Sequence, residues 1–458
     1  MKHRFLFFAC WWAYLGAGAQ PLDSLLNAQL QHTLDSVRAA TGVKGISAAV
    51  LTAGQGRWNG TSGVSYDTVP IRSGMLFGIG SNTKTFTAAL LLKMQEMGAL
   101  SLDDAIGKWL PPHPYIDSTI TVRRLLNHTS GLDDYARSPA YKDSILCCPD
   151  RIWQPQELLQ FIGPPHFAPG QGWEYCNTNY LLAGMIAEAA AGRSIDSLFR
   201  QYLLNPLTLD STFLAVAEPM HGEIAHRWVH GQDEHSIPIN ARFSGAWTAG
   251  GMFSTAPEMV QWMSALMGGQ VLNAASLQQM LTVVPASQYG LGIKQAVLAD
   301  RTVWMHGGNI RGYSSVVLYD TIGRASLAVL VNQATSQTKD IAAALLEVLA
   351  RSSVLSSLRK KEGAAGPEIA RVKSHPNPFS RHVAIRYMLP VAGRVELVVY
   401  DMTGRRIRTL VNRPRRAGWH VAIWDGRDEN GQPAPAGAYL CRLTSTSGVA
   451  MHRMQRAR

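Results

Sequence analysis

Phe77-Gly78-Ile79-Gly80-Ser81-Asn82-Thr83-Lys84 joins a short apolar segment containing two glycines to a run whose apolar residues recur at helical spacing up to Met97. Ser81 is therefore expected to open a helix. Lys84, three residues later, is expected on the same helical face, roughly 5–6 Å away between β-carbons. The helix amino terminus favours a deprotonated serine oxygen. The pattern predicts a serine nucleophile beside a lysine that accepts its proton, provided that burial lowers the lysine pKa from about 10.4.

Two other interpretations of the same residues are weaker. A Ser-x-x-Lys tetrad also arises by chance, as a helix cap followed by a solvated lysine. The sequence of residues 78–85 is also similar to the pattern of a phosphate-binding loop, in which a glycine directly precedes the lysine. Because Thr83 occupies that position, we expect neither a nucleotide site nor any cofactor.

The amino terminus predicts export. Lys2, His3 and Arg4 precede the apolar run 5–15, and a small-residue segment at 17–19 follows, which is the pattern of a signal peptide spanning residues 1–19. No later segment is apolar enough to span a bilayer. Four cysteines remain after this leader, and the sequence leaves their pairing open: Cys147, Cys148, Cys176 and Cys441.

The formal charge of +11 is concentrated after Arg359. Arginines there alternate with apolar residues, as they do on the solvated face of a strand. We therefore interpret the surplus as a solvated basic surface and do not expect nucleic acid as a partner.

The chain of 458 residues is long enough for two or three domains. Strand-like segments are expected at 45–51 and 56–64, a helical region broken by prolines at 100–213, and further strands at 296–305, 314–319 and 326–331. A helix at 338–349 closes the region. Strands at both ends with helices between them predict an α/β fold, in which an antiparallel sheet is flanked by helices and carries a helical insertion.

We therefore predict a hydrolase domain at 20–351, a linker at 352–373, rich in Ser, Lys, Gly and Ala, and a small β-sandwich at 374–458. Short alternating strands separated by turn signals support the sandwich. They are expected at 383–387, 395–400, 419–424 and 439–444.

Two further segments complete a candidate site. Tyr175-Cys176-Asn177 stands between a loop and a helical run, so that a phenol and an amide are available at a loop end. His306-Gly307-Gly308 ends the apolar strand 303–305, where missing side chains would let a substrate backbone lie against the strand.

The order of these segments resembles the serine β-lactamase and penicillin-binding superfamily. Within it, the chain is most similar to the branch of class C β-lactamases, D-alanyl-D-alanine carboxypeptidases and esterases. The resemblance covers about 25–349 and includes three further segments: 102–104, 127–132 and 249–254.

The resemblance implies that Ser81 is acylated and that Lys84 and Tyr175 share its proton, with Lys84 favouring the phenolate of Tyr175. Asn177 would bind substrate or hold Lys84. The backbone N–H groups of Ser81 and Asn309 would form the oxyanion hole, and water would release the acyl group.

The chain departs from the class C pattern where it has His306-Gly307-Gly308 in place of Lys-Thr-Gly. His306 is expected to be mostly neutral near pH 7, so it would hold the carboxylate of a β-lactam weakly. We expect His306 and Gly308 to contribute to binding of a small-molecule or peptide substrate, and we favour a peptidase or esterase. Cys176, where a small hydroxyl residue is common, is either inert or oxidisable.

Other candidates in the sequence are weaker. Four histidines at 221, 226, 230 and 235 suggest zinc, but Trp228 and Val229 between them suit a strand better than a ligand helix, and no metal is expected. His128 could suggest a Ser-His-Asp relay, but a histidine at a helix end is the more common explanation.

Four segments of the basic β-sandwich carry a second resemblance: 375–379, 400–405, 424–426 and 437–439. They are similar to the C-terminal sorting domain of type IX secretion cargo, which is like the Ig-like domain of flagellar hook-cap proteins. The resemblance implies contact with that secretion machinery and a secreted or cell-surface location reached through the periplasm. An ordinary Ig-like binding module is the alternative.

The sequence thus predicts an exported serine hydrolase that cleaves an ester or amide, possible substrates being D-amino-acid peptides. A penicillin-hydrolysing β-lactamase and a non-catalytic muropeptide-binding surface protein remain as alternatives. The acyl donor, the oligomeric state and removal of the C-terminal domain on maturation stay open.

Overall fold

The computed structural model describes residues 22–52, 56–335, 337–351, 371–389, 391–445 and 448–457. These residues form two compact units, one on each side of residue 352. The predicted signal peptide lies outside the described residues, as does most of the predicted linker. Within these ranges, none of the helices combines the length and apolarity needed to cross a bilayer.

The α-helices of the described residues belong to the first unit. In chain order they are α1 (Ser24–Thr41), α2 (Thr83–Glu96), α3 (Val122–Leu126), α4 (Pro139–Cys147), α5 (Pro155–Leu158), α6 (Asn177–Ala191), α7 (Ile195–Phe199), α8 (Asn240–Gly250), α9 (Ala256–Met267), α10 (Ala274–Met280) and α11 (Thr338–Arg351).

The strands occur in both units. Those of the first unit are β1 (Gly45–Thr52), β2 (Gly56–Tyr66), β3 (Val69–Pro70), β4 (Phe77–Gly78), β5 (Phe213–Leu214), β6 (Trp228–Val229), β7 (Gln232–Asp233), β8 (Met252–Ser254), β9 (Lys294–Leu298), β10 (Arg301–Ile310), β11 (Tyr313–Asp320) and β12 (Ala325–Val331). Those of the second unit are β13 (Arg371–His375), β14 (Val383–Leu389), β15 (Gly393–Asp401), β16 (Arg406–Arg415), β17 (Gly418–Trp424), β18 (Gly437–Ser445) and β19 (Gly448–Arg456).

A seven-stranded antiparallel sheet in the order β3-β2-β1-β12-β11-β10-β9 forms the centre of the first unit. β1 pairs with β12, Ile46 opposite Val331, so the two ends of the domain meet in the middle of the sheet. Every residue of β12 is buried, as expected for a strand covered on both faces. α9 packs on β1, β11 and β12, while α1 packs on β2 and α11. The predicted α/β fold, with helices inserted between the two groups of strands, is confirmed.

One predicted strand is wrong. Segment 296–305 is the end of β9 and the start of β10, which form an antiparallel hairpin. Ala299 and Asp300 turn the chain with φ of 47° and 55°. Two left-handed residues in succession are typical of a type I′ turn, which usually contains Asn-Gly or Asp-Gly, and Ala-Asp lacks that signal.

The second unit consists of a three-stranded sheet, β13-β14-β17, and a four-stranded sheet, β16-β15-β18-β19. Both sheets contribute to one apolar core, which contains Tyr387, Leu397, Trp424 and Leu443. The small β-sandwich predicted from the alternating pattern is therefore present. β13, β16 and β19 were not predicted, because charged residues and turn formers interrupt their alternation.

Candidate active site

Ser81 stands in a tight turn between a strand and a helix. β4 pairs with β8, and a 3₁₀ turn at Gly80–Asn82 then leads directly into α2. Gly80 has φ of 51°, and a β-carbon at this position would lie 2.7 Å from the backbone nitrogen of Asn309. Glycine is needed here both for its conformation and for the close approach of β10. Ser81 therefore opens the helical segment, as its spacing predicted.

Lys84 is fully buried, with its amine directed at the serine. Its Nζ lies 3.2 Å from Ser81 Oγ and donates to Asn177 Oδ1 at 2.8 Å and to the carbonyl oxygen of Ala249 at 2.6 Å. Burial lowers the pKa of Lys84 to about 7, and Asp134 opposes the shift. A neutral amine is therefore well populated near pH 7, as the sequence analysis required.

Asp134 is a site residue that sequence reasoning missed. Its Oδ2 accepts a hydrogen bond of 3.0 Å from Asn177 Nδ2, which fixes the amide so that Oδ1 faces Lys84. Burial raises the pKa of Asp134, while hydrogen bonds from Ala136 and Asn177 and the charge of Lys84 oppose the rise. The signal in the sequence that could have identified Asp134 is its position two residues after segment 127–132, which is part of the family resemblance.

Tyr175 lies on the other side of the lysine. Its ring centroid is 4.8 Å from Lys84 Nζ, and its buried hydroxyl has no hydrogen-bond partner among the described residues. Burial raises the pKa of Tyr175, and the nearby Ser81 hydroxyl opposes the rise. The expectation that Lys84 stabilises a phenolate is wrong, because burial of the hydroxyl disfavours the anion. Tyr175 is a neutral phenol.

His306 is buried and does not line the cavity at Ser81. Its Nδ1 lies 2.6 Å from the carbonyl oxygen of Gly307, so Nδ1 donates, and Nε2 accepts from the Tyr289 hydroxyl at 2.8 Å. Burial lowers the pKa of His306 to about 3, with a further contribution from Lys84. The imidazole is neutral, as its ordinary pKa suggested, and offers no cation to a substrate.

Gly308 lies where β10 crosses the Ser81 turn. A β-carbon there would be 1.9 Å from the carbonyl oxygen of Ile79, which leaves room for glycine alone. The next residue, Asn309, has its side chain held by Ser314, whose hydroxyl donates to Asn309 Oδ1 at 2.7 Å. Ser81 and Asn309, the two predicted oxyanion-hole residues, line the same cavity.

His128 and Cys176 are buried residues next to Tyr175. The His128 ring lies 4.4 Å from that of Tyr175, and its Nδ1 accepts from Cys176 N at 3.3 Å and from Asn179 Nδ2 at 3.1 Å. Burial lowers the pKa of His128, and burial raises the pKa of Cys176 to about 12. A neutral imidazole that packs on Tyr175 and a protonated thiol fit supporting roles.

Two of the four histidines that suggested zinc stack on each other. His226 stacks on His235 at 3.8 Å and on Tyr66 at 4.0 Å, and its Nδ1 lies 2.6 Å from Asp233 Oδ2. Trp228 and Val229 form strand β6, as their residue types suggested. Within the described ranges, no three His, Cys, Asp or Glu residues are grouped as metal ligands would be.

A cavity of about 370 Å³ opens beside Ser81. Asn177 and Asn309 line it together with the serine, and so do four larger polar residues: Tyr141, Lys142, Arg242 and Arg311. The last four residues come from α4, α8 and the turn after β10. None of them belongs to a motif that the sequence analysis singled out. The arrangement combines a serine hydroxyl, a buried amine of lowered pKa and a cavity large enough for a substrate. These are the features that nucleophilic catalysis by a serine requires.

Two family models match the chain. The model described as "Beta-lactamase" matches residues 30–351, and the model described as "FlgD Ig-like domain" matches residues 380–448. The first match covers most of the chain and contains every candidate site residue named above.

Known relatives match more than half of the chain. Penicillin-binding protein 4* of Bacillus subtilis (strain 168) is 26% identical over 292 residues, covering 58% of this chain and 62% of that protein. D-aminopeptidase of Brucella ovis is 28% identical over 276 residues, covering 55% and 51%. The chain thus spans between half and two thirds of the length of these relatives.

Among solved structures, the D-amino acid amidase from Ochrobactrum anthropi SV3 superimposes with a TM-score of 0.65 at 28% identity, covering 72% of this chain and 100% of that one. The sheet order, the Ser81 turn and the match to the first family model agree with one another. The chain therefore belongs to the β-lactamase family.

Proposed function

We propose that the protein is an exported serine hydrolase that forms an acyl-enzyme on Ser81 and cleaves an ester or amide. The observation that carries the proposal is the buried amine of Lys84, 3.2 Å from Ser81 Oγ, with its pKa lowered to about 7 by burial. A lysine that is partly neutral near pH 7 is a suitable general base.

In the proposed acylation, neutral Lys84 accepts the proton of Ser81 as the serine oxygen forms a bond to the carbonyl carbon. The carbonyl electron pair moves onto its oxygen, which the backbone N–H groups of Ser81 and Asn309 stabilise, each such donor typically contributing about 3–4 kcal/mol. As the oxyanion collapses and the scissile bond breaks, neutral Tyr175 donates its proton to the leaving group and recovers one from Lys84. Asn177 keeps Lys84 oriented.

Deacylation reverses these roles. Neutral Lys84 accepts a proton from a water molecule as the water oxygen bonds to the ester carbonyl carbon. When the bond from Ser81 oxygen to that carbon breaks, the serine oxygen takes up the proton from Lys84. Strand β10 is proposed to lie beside the substrate backbone, with Asn309 in the cavity and with His306 and Gly308 holding the strand in position. No step needs a metal or cofactor.

The proposed substrates contain a D-amino acid. Two of the relatives described above are a D-aminopeptidase and a D-amino acid amidase, which supports an amide or ester at a D-configured residue. β-Lactam hydrolysis is less favoured, because neutral His306 stands where class C enzymes have a cation.

Intact-mass spectrometry tests the acyl-enzyme. After exposure to a fluorophosphonate, a penicillin, a short-chain ester and a D-alanyl-D-alanine peptide, we expect a covalent adduct that peptide mapping assigns to Ser81. The reagent that acylates and also turns over ranks esterase, peptidase and β-lactamase. Absence of an adduct with every reagent would reject the proposal and favour a non-catalytic muropeptide-binding protein.

We further propose that the signal peptide 1–19 and the β-sandwich 374–458 direct the protein through type IX secretion, with the sandwich as the sorting domain. In a host that has this route, removal of residues 374–458 should leave hydrolysis within about twofold and retain the protein in the periplasm, measured by activity and immunoblot of cell fractions. Secretion of the shortened chain would contradict the sorting role, and loss of hydrolysis would make the sandwich a catalytic accessory.

A further inference from the structure

One wall of the cavity at Ser81 is positively charged. Lys142, Arg242 and Arg311 line this wall, and no aspartate or glutamate is among the described residues that line the cavity. A smaller adjoining cavity of about 90 Å³ is lined by Arg227, Arg242 and Arg311, with Glu234 as the one acidic residue among those described there. An ammonium group would be repelled from this wall, whereas a carboxylate would be attracted.

The single carboxylate of Glu234 does not form ion pairs with all of these cations. It pairs with Arg311, whose Nε lies 2.6 Å from Glu234 Oε2, and this interaction uses both carboxylate oxygens. Arg227 donates to the carbonyl oxygen of Ile237. The guanidinium of Arg242, by contrast, has no hydrogen bond and no ion pair with any residue that the structure describes.

Arg242 is half-buried, so its unpaired state carries an electrostatic cost. Burial lowers the pKa of Arg242, and Arg311 adds repulsion, while Tyr141 and Glu234 oppose the shift. A planar guanidinium with five donors matches the two oxygens of a carboxylate, and such bidentate pairs are strong when water is partly excluded. A bound anion would therefore compensate both the burial and the repulsion.

Arg242 lines the same cavity as Ser81. Arg242, Ala246, Ala249 and Gly250 all line this cavity along α8, which is kinked at Trp247, where φ of 36° and ψ of −123° are not helical. The carbonyl oxygen of Ala249 accepts a hydrogen bond from Lys84. A substrate that fills the cavity can therefore contact both Arg242 and the nucleophile.

We propose that Arg242 is a specificity-determining residue that binds a carboxylate of the substrate, and that the enzyme prefers acidic peptides over neutral ones. This inference rests on the proposed function of Ser81. The cation that strand β10 lacks at His306 is thus supplied from a different wall, by α8.

A matched pair of substrates tests the proposal. N-succinyl-D-phenylalanine p-nitroanilide carries a carboxylate, and its N-succinamoyl counterpart carries an uncharged amide of nearly the same shape. We expect kcat/KM of the unmodified protein to be roughly tenfold or more higher for the carboxylate, as is typical of a partly desolvated charge-assisted hydrogen bond. The preference should weaken as salt is added.

Arg242→Gln should remove the preference, and Arg242→Lys should retain part of it, since the charge remains but the bidentate geometry is lost. Arg193→Gln is the matched control on an exposed arginine outside the cavity and should keep the full ratio. The ratio of the two substrates is the readout, since a merely structural loss lowers both rates together. Labelling of Ser81 by a fluorophosphonate reports an intact site in each variant.

Where turnover is slow, the two anilides compete with the fluorophosphonate for Ser81, and protection at lower concentration by the carboxylate form is the expected result. Equal kcat/KM or equal protection would overturn the inference, as would a preference that survives in Arg242→Gln. Failure of the fluorophosphonate to label Ser81 would instead reject the proposed function, so the two failures are distinguishable.

Discussion

Replacement of Ser81 by alanine is expected to lower kcat/KM by about 10⁴-fold or more, because the bond to the acyl group can no longer form. The residual rate would come from binding and the oxyanion hole alone. The described contact of the hydroxyl is the 3.2 Å interaction with Lys84, so the variant should fold normally. The measurement is steady-state hydrolysis of the best substrate from the mass-spectrometric screen, with circular dichroism to verify folding.

Ser118→Ala is the matched control, since Ser118 is an exposed serine and does not line the Ser81 cavity. It should retain kcat/KM within about twofold. If Ser81→Ala kept more than a tenth of the activity while folded, Ser81 would not be the nucleophile, and another acyl acceptor would have to be sought.

Lys84→Met is expected to lower kcat/KM by about 10³-fold, within the range that general-base catalysis usually contributes. The pH dependence makes the test specific. Burial lowers the pKa of Lys84 to about 7, and the neutral amine is the active form. The activity of the unmodified protein should therefore fall about tenfold per pH unit below pH 7 and level off above it. kcat/KM measured between pH 5 and 9 tests this expectation.

In the Lys84→Met variant, the fall in kcat/KM below pH 7 should disappear. Lys93→Met, a change at the solvent-facing end of the same helix, where the amine pairs with Glu96, should leave both the rate and the pH profile unchanged. A midpoint above pH 9, or the same fall in kcat/KM in the Lys84→Met variant, would show that another group supplies the base.

Local pattern was sufficient to predict much of the fold. Alternation and helical spacing identified β1, β2, β11, β12 and α11, and the order of strands and helices predicted the sheet with its insertion. The β9–β10 hairpin was missed because the left-handed conformations at Ala299 and Asp300 depend on tertiary contacts that the residue types do not indicate. β16 was missed because its residues are mostly polar and half exposed.

The site was predictable where residues lie close in sequence or belong to a recognised motif. Ser81 and Lys84 share one helical face, and Asn177 contacts Lys84 as the resemblance suggested. Arg242 was not predictable, because its importance depends on α8 lining the cavity and on Glu234 being paired elsewhere. The direction of the Tyr175 pKa shift was missed for a similar reason, since the extent of burial is a property of the folded chain.

Gly80 and Gly308 hold the Ser81 turn and β10 at a separation that admits no side chain, whereas Lys142 and Arg242 line the cavity with long charged side chains. Selection is therefore expected to act differently on the two regions. Replacement at either glycine would force two backbones apart and disturb the chemistry. Replacement at residue 142 or 242 is expected to change the charge that faces the substrate and to leave the Ser81 turn in place. Descendants of such a protein can acquire new substrates in a few steps while inheriting the same reaction.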